Sequence, residues 1–130
     1  MTPKDVVKSF YESDMTDTVR AVETFFDANC ILNWHSSKGY VKLDFNGIKT
    51  MFEDINKSYN SLRFQISHLL QEDNSVTIRY AAYASLIESP SDEFALAHFM
   101  SIFKVENDKI ISGYQMSVLA DSTVASLSAF

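Results

Sequence analysis

The spacing of apolar residues changes once along the chain, near residue 60. Before that point they recur every three to four positions, as on one face of a helix. After it they fall in extended runs separated by polar turns. Three helices are predicted in the first part. Thr2-Pro3-Lys4-Asp5 reads as a helix start, with Thr2 as the N-cap, Pro3 at the first helical position and Asp5 as the return partner of a capping box. Val6, Val7, Phe10 and Tyr11 supply its apolar face, and it should run to about Asp14. A second helix starts at Thr16 or Asp17 and presents Val19, Val22, Phe25 and Phe26. A third, capped by Asp44, places Ile48, Met51, Phe52, Ile55 and Tyr59 on one face.

Between the second and third helices, residues 26–52 hold a short apolar strand at Ile31 and Leu32, then Trp34, His35 and a loop through Gly39 to Tyr40. Trp34 is the single tryptophan. A large aromatic between a strand and a loop is well placed to cap a cavity, so this stretch is expected to form one lip of a pocket.

Four long strands are predicted over 62–70, 76–88, 94–105 and 109–119, joined by polar turns at 72–75, 89–92 and 106–108. Strands joined in succession by short turns form an antiparallel meander. The tail, 121–130, is rich in Ser and Ala and reads as a short helix or a frayed end. In 94–105 both faces are apolar: Leu96, His98, Met100 and Ile102 on one, Ala97, Phe99, Ser101 and Phe103 on the other. Helices can cover one face of such a sheet. A second subunit is expected to cover the other, as a two-fold homodimer.

Composition narrows the partners. The 130 residues are 46% hydrophobic and 22% charged, with a formal net charge of −6. That balance argues against nucleic acid and against anionic membrane surfaces. Cys30, the one cysteine, sits in an apolar strand and reads as a small buried hydrophobe. His35, His68 and His98 are widely spaced, so no metal is expected, and no cofactor motif is present. With no apolar signal core at the start and no long apolar window, the chain reads as a cytoplasmic protein.

The order helix, helix, short strand, helix, meander resembles the nuclear transport factor 2-like superfamily, in particular its bacterial SnoaL-like and ketosteroid-isomerase-like branch. The residues that carry the resemblance are VETFFDANCIL at 22–32, the helix at 44–52, and SIFKVENDKII at 101–111. Two glycines usual in that branch, near the start of the third helix and in the last turn, are absent here. The resemblance implies an α+β, cone-shaped fold in which three N-terminal helices pack on a strongly curved antiparallel sheet and enclose a pocket. It implies a single SnoaL-like domain over 1–130, with helices and first strand in 1–60, meander in 61–120 and tail in 121–130.

The chemistry of the relatives does not carry over residue by residue. Ketosteroid-isomerase-like enzymes need a carboxylate base, a tyrosine and a protonated acid. By that resemblance these positions fall on Trp34, on Phe10 with Tyr11 adjacent, and on Ser101. Similarity to the SnoaL-like cyclases leaves Asp121 as a weak candidate base, with His98 as a weak second. The carboxylate–arginine set of epoxide hydrolases of this fold is not visible around Arg63 or Arg79.

By alignment to such relatives, Phe99, Ser101 and Phe103 face inward, as do Arg79, Ala81, Tyr83 and Ser85 on the strand before and Gly113, Gln115 and Ser117 on the last strand. The expected ligand-binding residues are Trp34, Phe10, Tyr11, Tyr83, Phe99, Ser101, Phe103 and Gln115. Such a lining suits a flat, apolar small molecule carrying a carbonyl or hydroxyl. The leading reading is a dimeric protein that binds a small hydrophobic molecule without established catalysis. The alternatives are an isomerase, cyclase or hydrolase using His98 or Asp121 with Tyr11 or Tyr83, and an interaction module whose cavity is filled by its own side chains.

Overall fold

The computed structural model describes residues 1–121 and 123–129; Ser122 and Phe130, part of the tail anticipated over 121–130, lie outside the described residues. Helix α1 spans Pro3–Tyr11, and its capping box is in place: Asp5 N–H donates to Thr2 Oγ1 at 3.1 Å, and Thr2 N–H donates to Asp5 Oδ2 at 3.1 Å. It ends before the anticipated Asp14, and a 3-10 turn, Met15–Asp17, leads into α2, Thr18–Phe25. Asp17 caps α2 through Arg20 N–H at 3.2 Å.

The expected two-residue strand is a long one. β1 runs Phe26–Ser36 and turns back into β2, Gly39–Asp44, where a loop was anticipated. Asp44 then caps α3, Phe45–Ser58, accepting from Gly47 N–H at 2.8 Å. Ile48 and Phe52 are buried and Met51 and Ile55 half-buried along its inner face; Tyr59 has already passed into the next strand. The meander follows as β3 (Tyr59–Glu72), β4 (Ser75–Leu86), β5 (Ser89–Glu106) and β6 (Lys109–Leu119), and a short helix α4, Val124–Ser128, ends the described chain. The β4–β5 turn lies at Ile87-Glu88, so the expected turn residues Ser89 to Asp92 belong to β5.

Six strands form one sheet in the order β2-β1-β6-β5-β4-β3. All neighbours are antiparallel except β1 and β6, which run parallel and bring the N-terminal hairpin onto the end of the meander. Two tight turns work without glycine because Asp73, Asn107 and Asp108 take the left-handed conformation, with φ of 53°, 51° and 60°. Asn and Asp tolerate that region better than other side chains.

Register shifts break β3 near Ser67 and β5 near Leu96. An extra residue bends a strand and turns the following side chains to the opposite face. Hence Leu62, Phe64 and Ile66 pack inward on β3, but beyond the shift Leu69 takes over and Leu70 is exposed. Here α1 packs on β3 and β5 and α3 on β1 and β3, so the helices fill the concave side of the bent sheet. Val6, Val7, Phe10, Val22, Ile48, Ile78, Phe103 and Ile110 are among its most deeply buried residues. Among the described residues no helix is long and apolar enough to cross a membrane.

Gly113 on β6 is required by packing. A Cβ there would lie 2.6 Å and 2.8 Å from the Phe103 ring and 3.0 Å from Leu32 Cδ1. Phe103 is buried and cannot swing aside. Gly113→Ala is therefore expected to destabilise the fold by ~1–3 kcal/mol through overpacking. Thermal unfolding followed by circular dichroism checks this, and an unchanged midpoint would contradict the packing described.

Candidate functional site

A cavity of about 60 Å³ lies between the concave face of the sheet, α1 and α3. Burial divides its lining into a floor and a rim. Phe10, Tyr11, Phe26, Phe103, Tyr80 and Gln115 are buried and form the floor; Trp34, Met51, Ile55, Leu62, Leu96 and Phe99 are only half-buried and form the rim. Register explains the arrangement. Trp34 on β1 lies beside Gln115 on β6, Gln115 opposite Ser101 on β5, and Phe99 opposite Tyr80 on β4. Tyr80 and Phe99 stack with ring centres 4.9 Å apart and planes 6° apart. Trp34 tilts over Phe99 at 6.3 Å and donates its indole N–H to Ser117 Oγ at 2.9 Å.

The wall is apolar except for one hydrogen-bonded chain. Tyr11 and Tyr80 hydroxyls lie 2.9 Å apart, Tyr80 O–H donates to Gln115 Oε1 at 3.2 Å, and Ser101 O–H donates to the same oxygen at 3.1 Å. A hydroxyl has one proton to donate. Since the Tyr80 proton goes to Gln115, Tyr11 must donate to Tyr80. Every hydroxyl proton of the chain is thus committed within it, and the uncommitted donors are the two hydrogens on Gln115 Nε2. Burial raises the pKa of Tyr11 well above the ordinary phenol range, and its donation to Tyr80 raises it further. Burial also raises that of Tyr80, against the opposing effect of the hydroxyls of Tyr11 and Ser101. Both are neutral phenols near neutral pH.

Of the anticipated ligand-binding residues, Trp34, Phe10, Tyr11, Phe99, Phe103 and Gln115 line this cavity, and buried Ser101 meets it through Gln115. Tyr83 does not. Its ring lies under the Arg63 guanidinium, 4.3 Å away, and Arg63 also forms a bidentate pair with Glu93 at 2.7 and 2.6 Å. The inward set expected on β4 is displaced by one residue: Tyr80 and Ala82 face the cavity, while Arg79 and Ala81 pair with Met100 and His98 across the opposite face. Ser85 is buried against Ser61 and Asn60. The alternation of Val76, Ile78 and Tyr80 with Thr77 and Arg79 carried the correct phase, and it identifies Tyr80, which sequence reasoning missed.

The weak catalytic candidates lie apart from the cavity. Asp121 is exposed and accepts from Thr123 N–H and O–H at 3.0 and 2.6 Å, which lowers its pKa; His98 adds a small further lowering from a distance. His98 is on the convex face of β5, opposite Val118. Among the described residues no group of three or more His, Cys, Asp or Glu could hold a metal ion. Cys30 is buried beside the core, and loss of solvation, with lesser contributions from Asp27 and Asp44, pushes its thiol up to about 11.

A family model described as a SnoaL-like domain matches residues 7–113. The chain belongs to that family, within the nuclear transport factor 2-like superfamily. Solved structures share its fold: IdmH of Streptomyces antibioticus, a candidate polyketide cyclase, is 13% identical over 98% of this chain and 97% of its own, with a TM-score of 0.73. A phenazine biosynthesis-related protein of Pseudomonas aeruginosa is 12% identical over 95% and 80%, with a TM-score of 0.67. TerC, co-crystallised with polyporic acid, is 11% identical over 88% and 90%, with a TM-score of 0.63. No curated protein matches the chain in sequence.

The three raised acids have one consequence. Each favours its neutral form in the fold, so the unfolded chain loses the proton first, near 9.0 for the thiol and 10.0 for the phenols. Their contribution to stability is complete below those values and falls as pH rises above them. Denaturant titrations at about pH 8 and about pH 10.5 are expected to show a clear drop in midpoint, smaller in Tyr80→Phe. An equal drop in that variant would contradict the role given to the buried phenol.

Proposed function

We propose that this chain is a small-molecule-binding SnoaL-like protein, acting as one domain and as a homodimer in the cytoplasm, whose ligand is a flat, largely apolar molecule carrying a carbonyl or hydroxyl. One observation carries the reading. A cavity filled only for stability has no use for Gln115, buried in an apolar wall with donors not used in its own network. Those donors have no side-chain partner in the network, and a ligand oxygen can supply one. The half-buried rim supports the same reading, because Trp34, Met51, Ile55 and Leu62 are less tightly enclosed than the floor. A cavity of about 60 Å³ holds water but no ring system, so binding requires the rim to open. The proposed contacts are Trp34, Phe99 and Tyr80 against the ligand faces and Gln115 at its oxygen.

Cyclase-type chemistry is the second reading. A neutral amide backed by two phenols could stabilise negative charge developing on a ligand oxygen, and the fold is that of a candidate polyketide cyclase. Within the described residues, no carboxylate or histidine lines the cavity to take up a proton, which favours binding over this alternative. The filled-cavity interaction module is disfavoured by the Gln115 donors.

Trp34 makes the reading testable, since it is the only tryptophan and sits on the rim. Native mass spectrometry of purified protein is expected to show a retained small hydrophobic molecule, and 1-tetralone added to stripped protein is expected to change Trp34 emission saturably. A bare mass together with unchanged emission would sink the proposal.

The dimer rests on the convex face. Met100 lies opposite Met116, Ile102 opposite Tyr114, and all four are exposed, Tyr114 and Met116 each at 65%. A contiguous apolar sheet face of this kind is a recognised association surface, and two-fold pairing lets the same patch serve both subunits. Met116→Glu is expected to convert the dimer to monomer in light scattering while leaving the folded spectrum intact. A monomeric parent protein at micromolar concentration would refute the assembly.

A further inference from the structure

The apolar cavity has a neighbour across its rim. Ile55 and Leu62 also line a second recess, of about 240 Å³, between the 3-10 turn, the end of α3 and the start of β3. Its other walls are mixed, Met15 and Tyr59 beside the polar Asp14, Asn56 and Asn60, and no lysine or arginine lines it among the described residues. Both amides are held in one orientation. Asn56 Nδ2 donates to Thr18 Oγ1 at 3.1 Å and to the Thr16 carbonyl at 3.4 Å, and Asn60 Nδ2 donates to Ser85 Oγ at 3.3 Å. With the nitrogens turned to the wall, the amide oxygens are the groups left to a ligand. Asp14 adds a carboxylate, one oxygen of which is held by Thr16 N–H and O–H at 3.0 and 2.7 Å. Acceptors therefore predominate in this recess, where the Tyr59 hydroxyl can donate as well as accept.

The floor of the cavity offers the reverse. Gln115 has committed its oxygen to Tyr80 and Ser101 and keeps its N–H donors. The two ends of the site are therefore opposite in hydrogen-bonding sense, and the seam between them, Ile55 and Leu62, is apolar and half-buried.

We infer that the cavity and the recess form one elongated site for a polarised aromatic molecule, with an acceptor such as a ketone at its inner end, a donor such as a phenolic hydroxyl at its outer end, and an apolar ring body across the Ile55–Leu62 seam. This rests on the ligand-binding reading above and adds to it a direction and a subsite. Size agrees: the inner cavity is too small for a ring system, and the recess supplies the missing length. The charge pattern disfavours a ligand with an anionic outer end, which would meet Asp14 with no cation among the lining residues to receive it.

Three matched probes test the inference by Trp34 emission: 6-hydroxy-1-tetralone, 6-methoxy-1-tetralone, whose outer oxygen has no proton to donate, and 1-tetralone, which lacks the outer group. The hydroxyl compound is expected to bind about fivefold more tightly than the methoxy compound, the worth of one neutral hydrogen bond. Asn60→Ala, at an exposed position, and Asn56→Ala are expected to erase that difference while leaving 1-tetralone affinity unchanged. Equal binding of the hydroxyl and methoxy compounds would overturn the inference, as would variants that weaken all three probes alike. If none of the three alters Trp34 emission or is retained in native mass spectrometry, the ligand-binding reading itself fails, and the inference with it.

Discussion

Four polar side chains, from α1, β4, β5 and β6, meet inside an apolar cone and pair there, leaving only the N–H donors of Gln115 outside the network. Tyr11, Tyr80, Ser101 and Gln115 form a single hydrogen-bonded chain in which each hydroxyl proton has one destination. Buried polar groups are costly unless paired, and in a low-dielectric interior the penalty for a broken pair is large. The chain therefore fixes α1 against three strands at once. It also fixes the register of β4 on β5, since a one-residue slip would carry Tyr80 away from Gln115 and bring Arg79 into the core. The Tyr80–Phe99 stack and the tilt of Trp34 over Phe99 follow from the same register.

Much of this was legible in the sequence. The capping box at Thr2 and Asp5, the N-cap at Asp44 and the limits of the last strand follow from local rules, because caps and turns are decided within a few residues. Phe99, Phe103 and Gln115 face the cavity as alternation outward from Ser101 and Gly113 implies, the shift at Ile111 lying on the turn side of them. What was not legible depends on partners far away in sequence. The β1–β2 hairpin is exposed along β2 and lacks a strong apolar pattern, so nothing local distinguishes it from a loop. The shifts near Ser67 and Leu96 are settled by the neighbouring strand, not by the residues themselves.

Tyr83 shows how an alignment-based phase fails where a local one succeeds. Equivalence with the positions of relatives on β4 predicts it as a pocket residue. Its actual environment, half-buried beneath the exposed Arg63 guanidinium, is set by a cross-strand pairing of Arg63 with Tyr83. Tyr80, three residues earlier, takes the pocket position. Both are tyrosines, so composition cannot tell them apart. The distinction comes from the small polar and charged residues between the apolar ones.

The convex and concave faces of β5 and β6 divide two roles along the same strands. Inward residues Phe99, Ser101, Phe103, Gly113 and Gln115 build the cavity, while outward residues Met100, Ile102, Tyr114 and Met116 form the exposed apolar face. Between the shifts near Leu96 and Ile111 the side chains alternate, so these two sets stay on separate faces, with Phe99 the residue that borders both. They are not independent mechanically. The sheet is one hydrogen-bonded layer, and a partner held against its convex side would stiffen the curvature that the cavity requires. Opening the rim for a ligand then falls to the half-buried side chains of α3 and β3, Met51, Ile55 and Leu62, which lie at the far edge of the sheet from that face. The division assigns rigidity to β5 and β6 and adaptability to the α3–β3 side, where the polar recess also lies.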